Sequence, residues 1–237
     1  MRVSKHVTAG LDALGKGSYE ELFHHACLAA DGTAQAVFSK EKSMGDRFRK
    51  CLRQYYWIME PMFGGINFEY SVFDNVTIPK CPKPDLADVV WTFHRNRTAH
   101  GMGILNRYSL IISPPGSGHQ MMVAKNWLKF PVTLCFALLA VAVFAKANEN
   151  EKSAGDYFLS LAGKNFLISE WWGREDDFRP IAAKNNQIRV AIAPKGNWEE
   201  WDGTAPDEYV IIGKDASPND VSKILPPPDH TTGDEIS

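Results

Sequence analysis

The sequence predicts a mainly α protein: a bundle of four helices carrying an inserted β-hairpin, with a small β-rich appendage behind it. Three observations predict this. Apolar residues recur at spacings of three and four through 18–38, 43–60 and 85–100. A stretch from Phe130 to Ala145 (FPVTLCFALLAVAVFA) carries no charge at all. Beyond Asn148–Gly155 (NENEKSAG) the composition shifts to short runs bounded by Gly, Pro or Asp.

Residues 1–17 read as a Gly-containing lead-in with one short helical turn around Leu11 to Leu14, and no apolar segment suited to a signal peptide. The first strong helix starts at Ser18, with Glu21 in capping-box position. Tyr19, Leu22, Phe23, Ala26, Cys27, Ala30, Ala34, Val37 and Phe38 line one face, and Gly32 offers a place for close helix contact. Ser43 and Asp46 signal the second helix. Its apolar face is Phe48, Cys51, Leu52, Tyr55, Ile58 and Met59, with Arg47, Arg49, Lys50 and Arg53 lying largely off it. Pro61 and Gly64–Gly65 are expected to end it.

Residues 64–84 read as a long loop with one strand near 68–73, because Pro79, Pro82 and Pro84 forbid a helix. Asp85 then caps the third helix. Leu86, Val89, Val90 and Phe93 give it an apolar face, followed by the polar cluster His94, Arg95, Asn96, Arg97 and His100 before Gly101 and Gly103. Tyr108–Ile112 and Met121–Ala124, separated by Pro114–Gly118, read as a hairpin spanning 108–124. The hairpin tip lacks the Lys-Ser/Thr of a phosphate-binding loop.

The uncharged stretch supplies the fourth helix, 131–148. It is shorter than the roughly 20 residues a membrane span needs, so a buried central helix is the expectation and an anchored membrane protein the alternative. The expected limits are 15–150 for the bundle with its hairpin, 156–225 for the appendage and 226–237 for a disordered tail. Strands are expected in the appendage at 165–169, 187–193 and 208–213. Four of the seven tryptophans, Trp171, Trp172, Trp198 and Trp201, belong to it.

Composition narrows the function classes. The chain has 237 residues, 44% hydrophobic and 23% charged, ordinary for a globular protein. A net charge of -2 excludes a global electrostatic footprint for nucleic acid, so any RNA contact must be local, through a few arginines at a cleft. Cys27, Cys51, Cys81 and Cys135 have no metal-ligand spacing and read as reduced thiols, mostly buried. No metal site or cofactor is expected, and the expected location is cytoplasmic.

Arg95, Asn96 and His100, followed by Gly101, form Arg-Asn-x-x-x-His at the end of an apolar helix. This resembles the signature of the HEPN superfamily, in which an Arg, a polar residue and a His lie on one helix of a four-helix bundle. The helix pair over 29–52 (AADGTAQAVFSKEKSMGDRFRKCL) resembles the opening helices of some HEPN families as well. The resemblance implies a HEPN-like four-helix bundle and a metal-independent endoribonuclease of the kind used in toxin–antitoxin, phage-defence or RNA-processing systems. It also implies a two-fold homodimer whose cleft holds the motifs of both copies, with RNA as substrate and an antitoxin protein as a further partner.

The residue types suit that chemistry. Cleavage without a metal needs a group that moves the proton of the 2′-hydroxyl or of the leaving 5′-oxygen. An imidazole titrating near neutrality serves. It also needs positive charge on the pentacoordinate phosphate, which a guanidinium supplies bidentately. The expected products carry 2′,3′-cyclic phosphate and 5′-hydroxyl ends. Arg95, Asn96 and His100 are the catalytic candidates, and Arg97, His94 and Arg107 the substrate-binding ones, with surface charge as the plainer reading of those three. At about 100° per residue Arg95 and His100 lie roughly 140° apart, so sharing one phosphate requires a helix loosened before Gly101, a long Arg side chain that swings across, or partner groups from a second copy. His100 also falls near the apolar stripe, seven residues after Phe93, where a hydrogen-bonded core histidine is the alternative. Asp88, seven residues earlier on the same side, is a candidate partner for Arg95 or for a dimer mate. A non-catalytic binding or scaffold protein on the same fold is the competing reading.

Overall fold

The fold grows around one helix that is apolar on every side. That helix, α6 (Thr133–Phe144), is buried continuously from Ala137 to Phe144. A helix with no polar face must be enclosed by its neighbours, and here α2 and α4 do most of the enclosing. The structure is a computed structural model. It describes residues 2–64, 66–100, 108–111, 121–124, 127–152, 155–186, 191–195, 208–212 and 223–225. For 95–100, 108, 109, 111, 122–124, 127, 192–195, 208–212 and 223–225 it describes the backbone alone.

Among the described residues the chain is mainly helical, with eight α-helices. They are α1 (Val3–Gly15), α2 (Tyr19–Val37), α3 (Met44–Gln54), α4 (Tyr56–Met62), α5 (Leu86–His100), α6, α7 (Ile168–Trp171) and α8 (Glu175–Asn185). The expected lead-in is instead the full helix α1. Val3, Val7 and Leu11 are buried at a spacing of four, enough apolar contact to override the cost of Gly10. The turn through Gly17 (φ +70°) sends the chain back antiparallel, so Val3 lies against Gly32. A side chain at Gly32 would come within 2.9 Å of Val3, so the close contact foreseen at this glycine exists, with α1 as the partner.

The expected helix over 43–60 divides at Tyr55 into α3 and α4. Ser43 caps α3, its hydroxyl accepting from the Asp46 N–H at 3.2 Å. Ser18 makes no such bond at the start of α2. Pro61 does not end α4 but sits in its last turn. The strand expected at 68–73 is absent: the backbone there is turns and irregular structure, held by Glu60. The fully buried Glu60 carboxyl accepts from the Phe68 N–H at 3.1 Å and from the Asn186 amide at 2.8 Å.

The inserted hairpin is a different object. Strand β1 (Tyr108–Ile111) does not pair with β2 (Met122–Ala124). Both flank β3 (Trp127–Pro131), β1 in parallel and β2 antiparallel. Pro131 therefore closes a strand rather than opening a helix, which shortens α6 at its start, and a single 3-10 turn, Lys146–Asn148, follows it.

In the C-terminal third β4 (Phe158–Leu161) and β5 (Lys164–Leu167) form an antiparallel pair. Strands β6 (Ala191–Lys195), β7 (Glu208–Ile212) and β8 (Lys223–Leu225) form an antiparallel sheet in that order. Strands were expected at all three of 165–169, 187–193 and 208–213, but helices α7 and α8 were not expected. Phe178 of α8 stacks on Phe144 of α6 at 3.9 Å between ring centroids, which fastens this third to the central helix. Gly173 makes the turn at φ +68°, donates its N–H to the Val143 carbonyl at 2.8 Å, and leaves no room for a side chain beside Glu149. The expected tail, 226–237, lies outside the described residues. No helix among the described residues is long and apolar enough to cross a membrane.

Candidate functional site

The motif helix α5 is fixed from its first turn. Asp85 and Asp88 cap it reciprocally: the Asp85 carboxylate accepts from the Asp88 N–H at 3.0 Å, and Asp88 accepts from the Asp85 N–H at 3.3 Å. Arg53 of α3 grips both, at 2.6 Å from Asp85 and 2.9 Å from Asp88. Arg49 reaches Asp88 at 3.5 Å, and the Cys81 thiol donates to it at 3.4 Å. Asp88 is thus engaged by α3, while the Arg95 side chain, its other expected partner, lies outside the described residues. The Arg53 guanidinium holds the Asp85 carboxyl below its usual range despite its burial, and the Asp85 carboxylate raises Arg53 in turn.

The next turns enter the core. Phe93 packs on Phe23 of α2 at 4.3 Å between centroids. Gly45 opens space for Trp91, whose indole would lie 2.9 Å from any added side-chain carbon there. His94, expected at the surface or facing RNA, is only 5% exposed. Its ring stacks on Phe48 at 5.7 Å and meets Trp91 edge-on at 6.0 Å. Burial, helped by the neighbouring His24, pushes its pKa down to about 4, so it is neutral at pH 7.

Past His94 the helix continues through Arg95, Asn96 and Arg97 to its last residue, His100. The backbone thus carries Arg95, Asn96 and His100 on the final turns of one helix, directly after a rigidly packed segment. Their side chains, and all of Arg107, lie outside the described residues. Helical phase puts position 100 within about 20° of position 93, whose side chain faces the core.

Two features are not legible in the sequence. The basic residues of α3 are all committed to carboxylates: Arg47 to Asp31, Arg49 to Asp46 and Asp88, Lys50 to Glu41, and Arg53 to Asp85 and Asp88. The Asp31–Arg47 contact is loose, at 3.9 Å, and burial raises the Asp31 pKa against the pull of Arg47. Four histidines also form a chain from α1 to α5. The ring centroids of His6 and His25 lie 5.5 Å apart, those of His25 and His24 5.5 Å, and those of His24 and His94 6.4 Å. The only sequence signal for this chain was the His24-His25 doublet, since its other members are far away along the chain.

Among the described residues no group of three or more His, Cys, Asp or Glu converges as a metal site. Cys27, Cys51 and Cys135 are buried, and burial pushes the Cys51 and Cys135 thiols well up, so these two are not nucleophiles.

No solved structure matches the chain. It is 30% identical over 207 residues to the uncharacterized protein Rv1289 of Mycobacterium tuberculosis, covering 84% of this chain and 96% of that one. The uncharacterized protein Mb1320 of Mycobacterium bovis matches with the same identity and coverage. The family model described as Rv1289 matches residues 2–198, which takes in every helix above together with both small sheets that precede β6. The chain belongs to the Rv1289 family.

Proposed function

We propose that this protein is a HEPN-type endoribonuclease that cleaves RNA without a metal ion, acting as a dimer in which the last turns of α5 from two copies share a cleft. One observation carries the reading. The Arg-Asn-x-x-x-His segment occupies the end of a helix that the core and two ion-paired arginines hold fixed up to His94. A catalytic pair on such a helix is positioned before substrate arrives, which is what stabilising a transient phosphorane charge requires. In this mechanism His100 moves the proton, Arg95 meets the phosphate oxygens and Asn96 orients the imidazole. His94 is a positioning residue, since its buried ring sets the phase of the turns that follow.

The test is an RNA cleavage assay in EDTA. The wild-type chain should yield 2′,3′-cyclic phosphate and 5′-hydroxyl ends. Arg95→Ala and His100→Ala should each lower the rate by about a hundredfold or more, with the melting temperature unchanged. Activity that requires a divalent ion, or that survives both substitutions, rejects the proposal.

A second reading, a non-catalytic binding or scaffold protein on this fold, is favoured by the charge arrangement beside α5. Every basic side chain of α3 faces a carboxylate, so this helix lends no uncompensated positive charge to a polyanion. A stable dimer that cleaves none of a diverse RNA set in EDTA, yet shifts its melting temperature with nucleotides, supports this reading.

A further inference from the structure

The histidine chain has one link unlike the others. His6 Nδ1 and His25 Nδ1 face each other across the α1–α2 pair at 3.2 Å, with both residues partly buried. Helix packing produces the approach. Gly10, one turn beyond His6, has no side chain, and a carbon added there would stand only 3.4 Å from His25 Cβ. The antiparallel run set by Gly17 then brings position 25 opposite position 6.

We propose that His6 and His25 form a cross-helix site for a divalent transition-metal ion of the zinc, copper or nickel class, held through their two Nδ1 atoms with water in the remaining positions. The distance supports it. Metal–imidazole bonds of about 2.0–2.1 Å place two ligand nitrogens about 3.3–3.4 Å apart in tetrahedral geometry, and about 2.9 Å apart at right angles. The observed 3.2 Å falls between these values.

Ligand chemistry sets the class of ion. Imidazole nitrogen suits zinc, copper and nickel, whereas calcium and magnesium take oxygen. Without metal one ring donates its Nδ1–H to the other. With metal both rings carry their proton on Nε2, so a tautomer shift and no redox step accompanies binding. Two protein ligands make an exchangeable site rather than a structural one. This proposal does not depend on the nuclease reading, whose activity in EDTA it leaves untouched.

The test is titration of the full chain, stripped with EDTA and dialysed, with Zn²⁺ and Cu²⁺ by calorimetry. One ion per chain should bind saturably. His6→Ala and His25→Ala should each weaken binding by about tenfold or more, because one imidazole cannot chelate, while His24→Ala should leave it unchanged. Electron paramagnetic resonance of the Cu²⁺-loaded wild-type chain should show coupling to two imidazole nitrogens, a readout that requires no variant to fold. Binding that persists in the double variant, binding lost in His24→Ala, coupling to fewer than two imidazoles, or no saturable binding would each overturn the site.

Discussion

Helices α5 and α6 are built on opposite plans. Helix α6 has no polar face, and its fixity comes from being surrounded. Helix α5 begins with two carboxylates clamped by Arg53, passes through the buried Phe93 and His94, and ends in the polar motif. The difference separates two requirements. A helix that only supports the fold can be apolar throughout. A helix that presents chemistry at one end must be anchored at the other, and here the anchor combines ion pairs with aromatic packing.

That contrast can be broken from the α6 side first. Phe144→Ala removes a fully buried ring stacked on Phe178 and edge-on to Phe166 and Trp171. The expected loss is about 3–5 kcal/mol of unfolding free energy, read by urea denaturation. Gly173→Ala comes next, because a left-handed backbone at φ +68° and the Glu149 main chain both oppose a side chain. It should cost about 2–3 kcal/mol, with a matching fall in melting temperature.

Two smaller effects sharpen the α5 side. The folded-state pKa of His94, about 4, lies below the ordinary histidine value near 6.5. As pH falls through that window the unfolded chain gains a proton that the folded chain refuses, so stability should drop between about pH 6.5 and pH 4. The drop attributable to this ring is on the order of 1–3 kcal/mol, and His94→Gln should flatten the slope of melting temperature against pH. Asp85→Ala removes the cap and half of the Arg53 clamp. Because Arg53 is substantially exposed the ion pair adds little, and about 1 kcal/mol is expected in thermal denaturation.

The long apolar stripes were legible in the sequence because period and length agreed. Helices α2, α5 and α6 are where their stripes are, trimmed at the ends. Helix α1 is not evident from the sequence although Val3, Val7 and Leu11 carry the right spacing, because Gly10 and Gly15 weaken the helix locally. The tertiary contact with Gly32 and the core reverses that balance. Strand β3 was hidden by Pro131, which suits a helix start as well as a strand end. At the candidate site the motif itself could be read, as could the Asp85 cap. The burial of His94 could not, since it depends on Phe48 arriving from α3 and His24 from α2. Nor could the meeting of His6 with His25, which requires knowing how α1 lies on α2.

The buried carboxyl of Glu60 has a consequence for how much of the chain can be dispensed with. One of its oxygens answers the backbone of the proline-rich segment, and the other answers Asn186 at the end of α8. Trimming the polypeptide anywhere ahead of Asn186 would leave an acid in a dry interior with a partner missing. Such fragments should swell, take in water around α4 and melt early. The helical portion and the region after residue 155 should therefore melt together, with coincident curves by circular dichroism and tryptophan fluorescence.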